Sequence, residues 1–295
     1  MEKLVEPTRS DTRASRWRVV AWLATATLFV LLPVMAGIAL LYFDQHAMIY
    51  HPRPYRAHDL KRLPAEALEL NYLTPAGRQY AFYLPPRRKG LLPARIWVAF
   101  CGNGSVALDW TFFVSEDKNS DDAFLLVDYP GYGKSDGYAT IAGTRASADK
   151  ALSVLADRLQ TEESQLENRL NVIGHSLGAG VALDFAVHHP VQRVIAIAPF
   201  TSLREEAATI VGATLSHLVT EDCDNRARLA DLTRRSTPPR VAIVHGMEDD
   251  VIPFRMGQAL ASEFPKLVQF FPVQHADHVS VLEFGRGQIF EWMNH

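Results

Sequence analysis

Cysteine is scarce in this chain: Cys101 and Cys223 are the only two among 295 residues. Two thiols cannot build the disulfide framework of a small secreted scaffold, and one bridge is the most they could form. Their spacing fits neither a CxxC redox pair nor a zinc ribbon. No HExxH pattern or carboxylate cluster with metal spacing stands in for them, so neither a metal nor a cofactor is expected. An excess of one charge is missing as well. Lys and Arg number 30 against 33 Asp and Glu, a net charge of −3. That balance supplies no basic surface for nucleic acid and no acidic tail for a basic partner. The glycines around Tyr132 fit neither GxGxxG nor GxxxxGK[ST], which removes the common phosphate loops. Internal repeats and low-complexity tracts are absent too.

What is present is apolar and patterned. Hydrophobic residues make up 48% of the chain and charged residues 21%, enough to bury a sizeable core in one large α/β domain. Residues 19–43 contain no charge at all. A run of that length crosses a hydrocarbon core of about 30 Å as a slightly tilted helix. Trp17 and Trp22 lie at one end and Tyr42 at the other, where amphipathic rings favour the interface. A cleaved signal peptide would carry a shorter apolar region and a small-residue cleavage site, and none precedes Asp44. A single-pass membrane anchor is therefore expected. Arg9, Arg13, Arg16 and Arg18 crowd its N-terminal flank, which predicts a cytoplasmic N-terminus and a body on the non-cytoplasmic side. Arg53, Arg56, Lys61 and Arg62 downstream work against that bias.

The expected organisation is a basic tail at 1–18, a transmembrane helix at 19–43, a linker at 44–67 and a catalytic domain at 68–295. Within that domain, 68–74 and 79–84 read as an antiparallel pair around a Pro75-Ala76-Gly77 turn. Short apolar strand patterns recur at 96–100, 124–127, 170–173, 194–198, 241–244 and 267–271. Helical patterns fall at 141–159, 177–187, 203–219, 226–234, 254–264 and 288–293. Apolar strands alternating with helices mean a mostly parallel sheet covered on both faces. A small cap is expected at about 200–239.

Gly174-His175-Ser176-Leu177-Gly178 fits G-x-S-x-G. A nucleophile on a tight strand-to-helix turn needs small neighbours, and the turn sets its hydroxyl at the positive end of the next helix. The pattern alone is common, but here it follows an apolar strand and opens a small-residue helix. A serine needs a base, and the base needs an orienting acid. On this elbow the order is Ser, acid, His. Glu248, Asp249 and Asp250 follow the strand pattern 241–244, while His275 and His278 follow 267–271. All would leave the carboxyl edge of the sheet, as Ser176 does.

These motifs together resemble those of the α/β-hydrolase superfamily, and within it the single-pass, membrane-anchored serine hydrolases. Phe100-Cys101-Gly102-Asn103 resembles their HGN oxyanion loop, with Cys101 where His is usual. Asp128-Tyr129-Pro130-Gly131-Tyr132-Gly133-Lys134-Ser135 resembles their DYxGYGxS loop, and the stretch from His245 to Pro253 their HGxxDxxVP acid loop. Ile49-Tyr50-His51-Pro52 resembles their first segment after the anchor. The resemblance implies an α/β-hydrolase fold behind one transmembrane helix, with Ser176 as nucleophile and Asp249 as acid. Glu248 and Asp250 are the alternative acids. His278 is expected as base by its distance from the last strand and the apolar Val279, Val281 and Leu282 behind it. His275 is its rival, and His175 a neighbour. The oxyanion hole is expected from the N–H groups of Leu177 and Asn103.

The activity implied is cleavage of a small-molecule or lipid-derived carboxylic ester through an acyl-enzyme. Thioester, amide or peptide cleavage on the same triad stays open. So does a non-catalytic membrane receptor or scaffold that keeps the fold.

Overall fold

The computed structural model describes residues 9–88, 92–221 and 223–294. The chain divides into two compact units, Met1–Met48 and Ile49–His295. In the first, Arg9–Phe43 is one helix. Residues 1–8 of the expected basic tail lie outside the described residues. Its apolar part, Trp17–Phe43, is 27 residues long with mean hydropathy 2.3 and none of it buried. At 1.5 Å per residue it is about 40 Å long, enough to span a bilayer core. The hydroxyls of Thr25 and Thr27 donate back to the carbonyls of Ala21 and Leu23 at 2.9 and 2.8 Å. Polar groups on an apolar helix are satisfied locally in this way.

Among the described residues, the second unit is built on an eight-stranded sheet. Strands β1 (Leu68–Thr74) and β2 (Gly77–Leu84) form the antiparallel hairpin expected at that turn. β2 also runs antiparallel to β4 (Asp122–Val127). From β4 onward the pairing is parallel, through β3 (Arg95–Phe100), β5 (Leu170–His175), β6 (Arg193–Ile197), β7 (Arg240–Gly246) and β8 (Val268–Val273). Every residue of β4 and β5 is buried, which explains their unbroken apolar runs. Trp97 is fully buried and still satisfied, its indole N–H donating to Asp122 at 3.0 Å.

Register is what positions the site. Phe100 stands beside Val127 on one side and Gly174 on the other, so three strands end level with one another. His175 pairs with Ile197, Ile197 with Val244, and Gly246 with Val273, carrying that edge across to β8. The loops carrying Asn103, Ser176, Asp249 and His278 all leave this edge.

Two segments differ from simple expectation. The helical pattern at 203–219 is broken in two: a helix at Leu203–Val211 stops at Gly212, whose φ is +82°, and a short 3₁₀ turn follows at Leu215–Leu218. With ψ 159° this is an extended conformation at positive φ, which glycine adopts freely and which breaks the helical run. From Ile49 onward, the stretch expected as a linker is part of the compact unit. Tyr50 is buried, and Arg53 bridges Asp59 at 2.8 Å and Asp109 at 2.6 Å.

Candidate active site

Ser176 sits between β5 and the helix Leu177–His188 with φ 57° and ψ −120°. A non-glycine residue held there costs about 1–3 kcal/mol, and the surroundings must impose it. Its N–H donates to the Ile197 carbonyl at 2.8 Å, tying the turn to β6. Glycine at 174 and 178 is a packing requirement. A Cβ on Gly174 would enter the backbone of Gly178, and one on Gly178 would enter the carbonyls of Phe100 and Cys101.

The Ser176 hydroxyl meets His278 Nε2 at 2.9 Å, and His278 Nδ1 meets Asp249 Oδ2 at 2.8 Å. All three residues are buried but not sealed. Asp249 Oδ1 accepts the backbone N–H groups of Val251 at 3.0 Å and Ile252 at 2.8 Å. Burial disfavours its charge, but donors from His245 and His278 outweigh that and hold its carboxyl well below the usual range. An ionised Asp249 only accepts, so His278 Nδ1 carries the proton and Nε2 is left to accept the Ser176 O–H. The loop bearing His278 is pinned by its neighbour. Asp277 Oδ1 accepts Val279 N–H at 2.9 Å, Ser280 N–H at 2.7 Å and the Ser280 hydroxyl at 2.8 Å.

His175 lies beside His278, its ring centroid 4.8 Å from that of His278. Its Nε2 donates to the His278 carbonyl at 2.8 Å. Burial, aided by His278 beside it, pushes the imidazole down to about 4. It is thus a neutral imidazole braced against the backbone of His278. His275, the rival base, points away: 85% exposed, its Nδ1 lies 3.2 Å from Glu248 Oε1. Glu248 and Asp250 are exposed, whereas Asp249 is buried.

Leu177 opens its helix, so its N–H has no intrahelical acceptor. Among the described residues the Asn103 N–H has no acceptor either. The loop that carries Asn103 is braced from three sides. Its side-chain Oδ1 accepts His51 N–H at 2.7 Å and the Tyr132 hydroxyl at 3.1 Å, and Tyr129 donates to the Cys101 carbonyl at 2.5 Å. Cys101 and Cys223 are free and buried; burial pushes Cys101 well up and Cys223 up to about 12. Among the described residues no group of three or more His, Cys, Asp or Glu could hold a metal ion.

Comparison with known proteins agrees with this architecture. A model of the "Alpha/beta hydrolase family" matches residues 98–220, which include Phe100–Asn103 and the elbow around Ser176. An esterase of Pyrococcus furiosus covers 83% of this chain and 96% of its own, with a TM-score of 0.63 at 16% identity, a likeness of fold. The chain has the α/β-hydrolase fold.

Two curated relatives match part of the chain. Human alpha/beta hydrolase domain-containing protein 17B is 30% identical over 176 residues, 60% of this chain and 57% of that one. An uncharacterized protein of Mycobacterium tuberculosis is 28% identical over 155 residues, 52% of each. The matched segment thus spans a little over half the length of these relatives.

Two residues near Ser176, His278 and Asp249 carry no role legible in the sequence. His245 was visible as the first letter of the acid motif, yet no role followed from it. It is fully buried, and its Nε2 lies 3.2 Å from Asp249 Oδ2 and 3.0 Å from the Ile252 carbonyl. Both neighbours accept, so Nε2 carries the proton, and among the described residues Nδ1 has no partner. Glu206, in the Leu203–Val211 helix, feels the charges of Asp249 and His278. Nothing in its local sequence marks it.

Proposed function

We propose that the chain is a membrane-anchored serine hydrolase that cleaves carboxylic esters through an acyl-enzyme on Ser176. The observation that supports this is the unbroken path Ser176–His278–Asp249, with hydrogen bonds of 2.9 and 2.8 Å. Ser176 Oγ attacks the ester carbonyl while its proton passes to His278 Nε2. The developing oxyanion is received by the N–H groups of Leu177 and Asn103, donors already in place before charge appears. Asp249 stabilises the imidazolium without taking its proton. As the tetrahedral adduct collapses, His278 returns the proton to the leaving alcohol. Water then attacks the acyl-enzyme by the same route, releasing the acid and restoring Ser176.

In this proposal residues 19–43 are the transmembrane anchor, preceded by a basic cytoplasmic tail at 1–18. Residues 44–48 lead to the catalytic unit at 49–295, on the non-cytoplasmic side, with a small cap within about 200–239. The substrate is a small-molecule or lipid-derived ester.

The reading is tested with the full chain in detergent and p-nitrophenyl butyrate, its thioester and its anilide. The expected result is turnover of the ester, with a pre-steady-state burst of nitrophenol up to the enzyme concentration when deacylation is slower. Faster cleavage of the anilide than of the ester, or no turnover by a well-folded preparation, would contradict it.

A further inference from the structure

The segment after β6 carries a carboxylate that the triad does not use. The helix Leu203–Val211 has no fully buried residue. Leu203, Glu206, Ala207 and Val211 are among its half-buried positions, while Arg204, Glu205, Thr209 and Ile210 are exposed. That spacing marks one inward helix face. An inward face is normally apolar, and Leu203 does pack against the core. Glu206 breaks the rule. Its Oε2 is buried and, among the described residues, has no hydrogen-bond partner.

The helix is held so that this residue has little choice. Ser202 accepts the Glu205 N–H at 3.1 Å through its side chain, and the Glu206 N–H at 2.9 Å through its carbonyl. Leu203 N–H donates to the Cys223 carbonyl at 3.0 Å, tying the helix start to the chain behind it. The groups whose charges bear on Glu206 are Asp249 and His278, from the acid and base loops, and Arg255 from the helix Phe254–Glu263. Burial first, then the charge of Asp249, pushes Glu206 up to about 7. Leaving a buried carboxylate oxygen unpaired costs far more than a typical surface charge, so such an oxygen calls for an explanation. A charged donor supplied by a ligand would satisfy it most strongly.

The side on which Glu206 stands narrows the ligand. His278 hands its proton to the leaving alcohol, so groups beside His278 and Asp249 border the leaving-group half of the site. We propose that Glu206 is a specificity-determining residue that receives an ammonium group carried on the leaving alcohol of the ester substrate. This rests on the serine-hydrolase reading of Ser176.

The test uses two pairs of butyrate esters of matched shape, with the full chain in detergent. Dimethylaminoethyl butyrate carries a charged N–H donor, and isoamyl butyrate is its neutral isostere. Choline butyrate keeps the charge without the donor, and dimethylbutyl butyrate is its neutral counterpart. The wild-type protein should prefer the dimethylaminoethyl ester over its isostere by at least about tenfold in kcat/KM, the scale of one charge-assisted hydrogen bond. The choline pair should show a smaller preference. In Glu206→Gln the dimethylaminoethyl preference should fall to about one, through KM, and Glu206→Asp should restore part of it. Labelling of Ser176 by a neutral fluorophosphonate reports whether each variant keeps a folded site. Equal discrimination in wild type and a labelled Glu206→Gln, or none in wild type, overturns the role of Glu206. Absence of both labelling and ester turnover in the folded wild type overturns the hydrolase reading itself, and this inference with it.

Discussion

His245 and His278 present a ring nitrogen to the same carboxylate oxygen, Asp249 Oδ2, at 3.2 and 2.8 Å. One histidine faces Ser176; the other is fully buried on the far side. Asp249 is therefore held by two imidazoles and two backbone N–H groups, which fixes its orientation before any substrate arrives. Loss of the second imidazole should loosen the acid without removing it. His245→Leu is expected to lower kcat by about 10- to 100-fold, the scale of a misplacement near 1 Å. His245→Gln, which retains a donor, should lose less. Steady-state kinetics on variants of matched melting temperature check this, and equal losses would show that volume matters and the hydrogen bond does not.

The two histidines after β8 separate cleanly. His278→Ala should reduce kcat by at least about 10⁴, the cost of losing a triad member. His275 is exposed and engages Glu248, so His275→Ala should cost about tenfold or less. Single-turnover assays on both variants settle the pair; an inactive His275→Ala beside an active His278→Ala reverses the assignment.

Titration should move stability in opposite directions on the two sides of the site. His175 is depressed from 6.5 to about 4, so its contribution is present above about 6.5 and is lost as pH falls toward 4. Asp249 is depressed as well, and its contribution is also lost on acidification. Glu206 is the reverse case, raised from 4.5 to about 7. Its relative contribution is full below about 4.5 and is lost as pH rises through 7. Glu206→Gln should therefore raise the melting temperature at pH 8 and change it little at pH 4.5. Calorimetry across that range checks the sign.

The strands and the elbow were legible because their signals are local. Apolar runs such as 124–127 and 170–173 are buried on both faces, and Gly174 is required by the backbone of Gly178 within the turn itself. Asp249 and His278 were legible through motif and spacing. The role of His245 was not, because its contact depends on the acid loop curling back until Val251 and Ile252 cap Asp249. Glu206 was hidden for a related reason. Which face of a helix turns inward depends on tertiary packing, and this segment breaks at Gly212 where periodicity alone suggested one continuous helix. Composition likewise gave no sign that Arg53 would join Asp59 to Asp109.

Membrane topology has a direct test, helped by the burial of both native thiols. With the proposed orientation, an impermeant thiol reagent outside intact cells should label a reporter cysteine placed at position 295. A reporter at position 2 should stay protected. The opposite pattern would mean that Arg53, Arg56, Lys61 and Arg62 outweigh the arginines before the span.

The central claim is that Ser176 is the nucleophile, and fluorophosphonate labelling tests it most directly. The strained backbone of Ser176 and its 2.9 Å hydrogen bond to His278 set it apart. Wild-type protein should take up one fluorophosphonate per chain, with the adduct on Ser176 by peptide mass. Ser176→Ala, with an unchanged melting temperature, should take up none. Undiminished labelling of the folded Ser176→Ala protein, or an adduct on another residue of the wild type, would contradict the account.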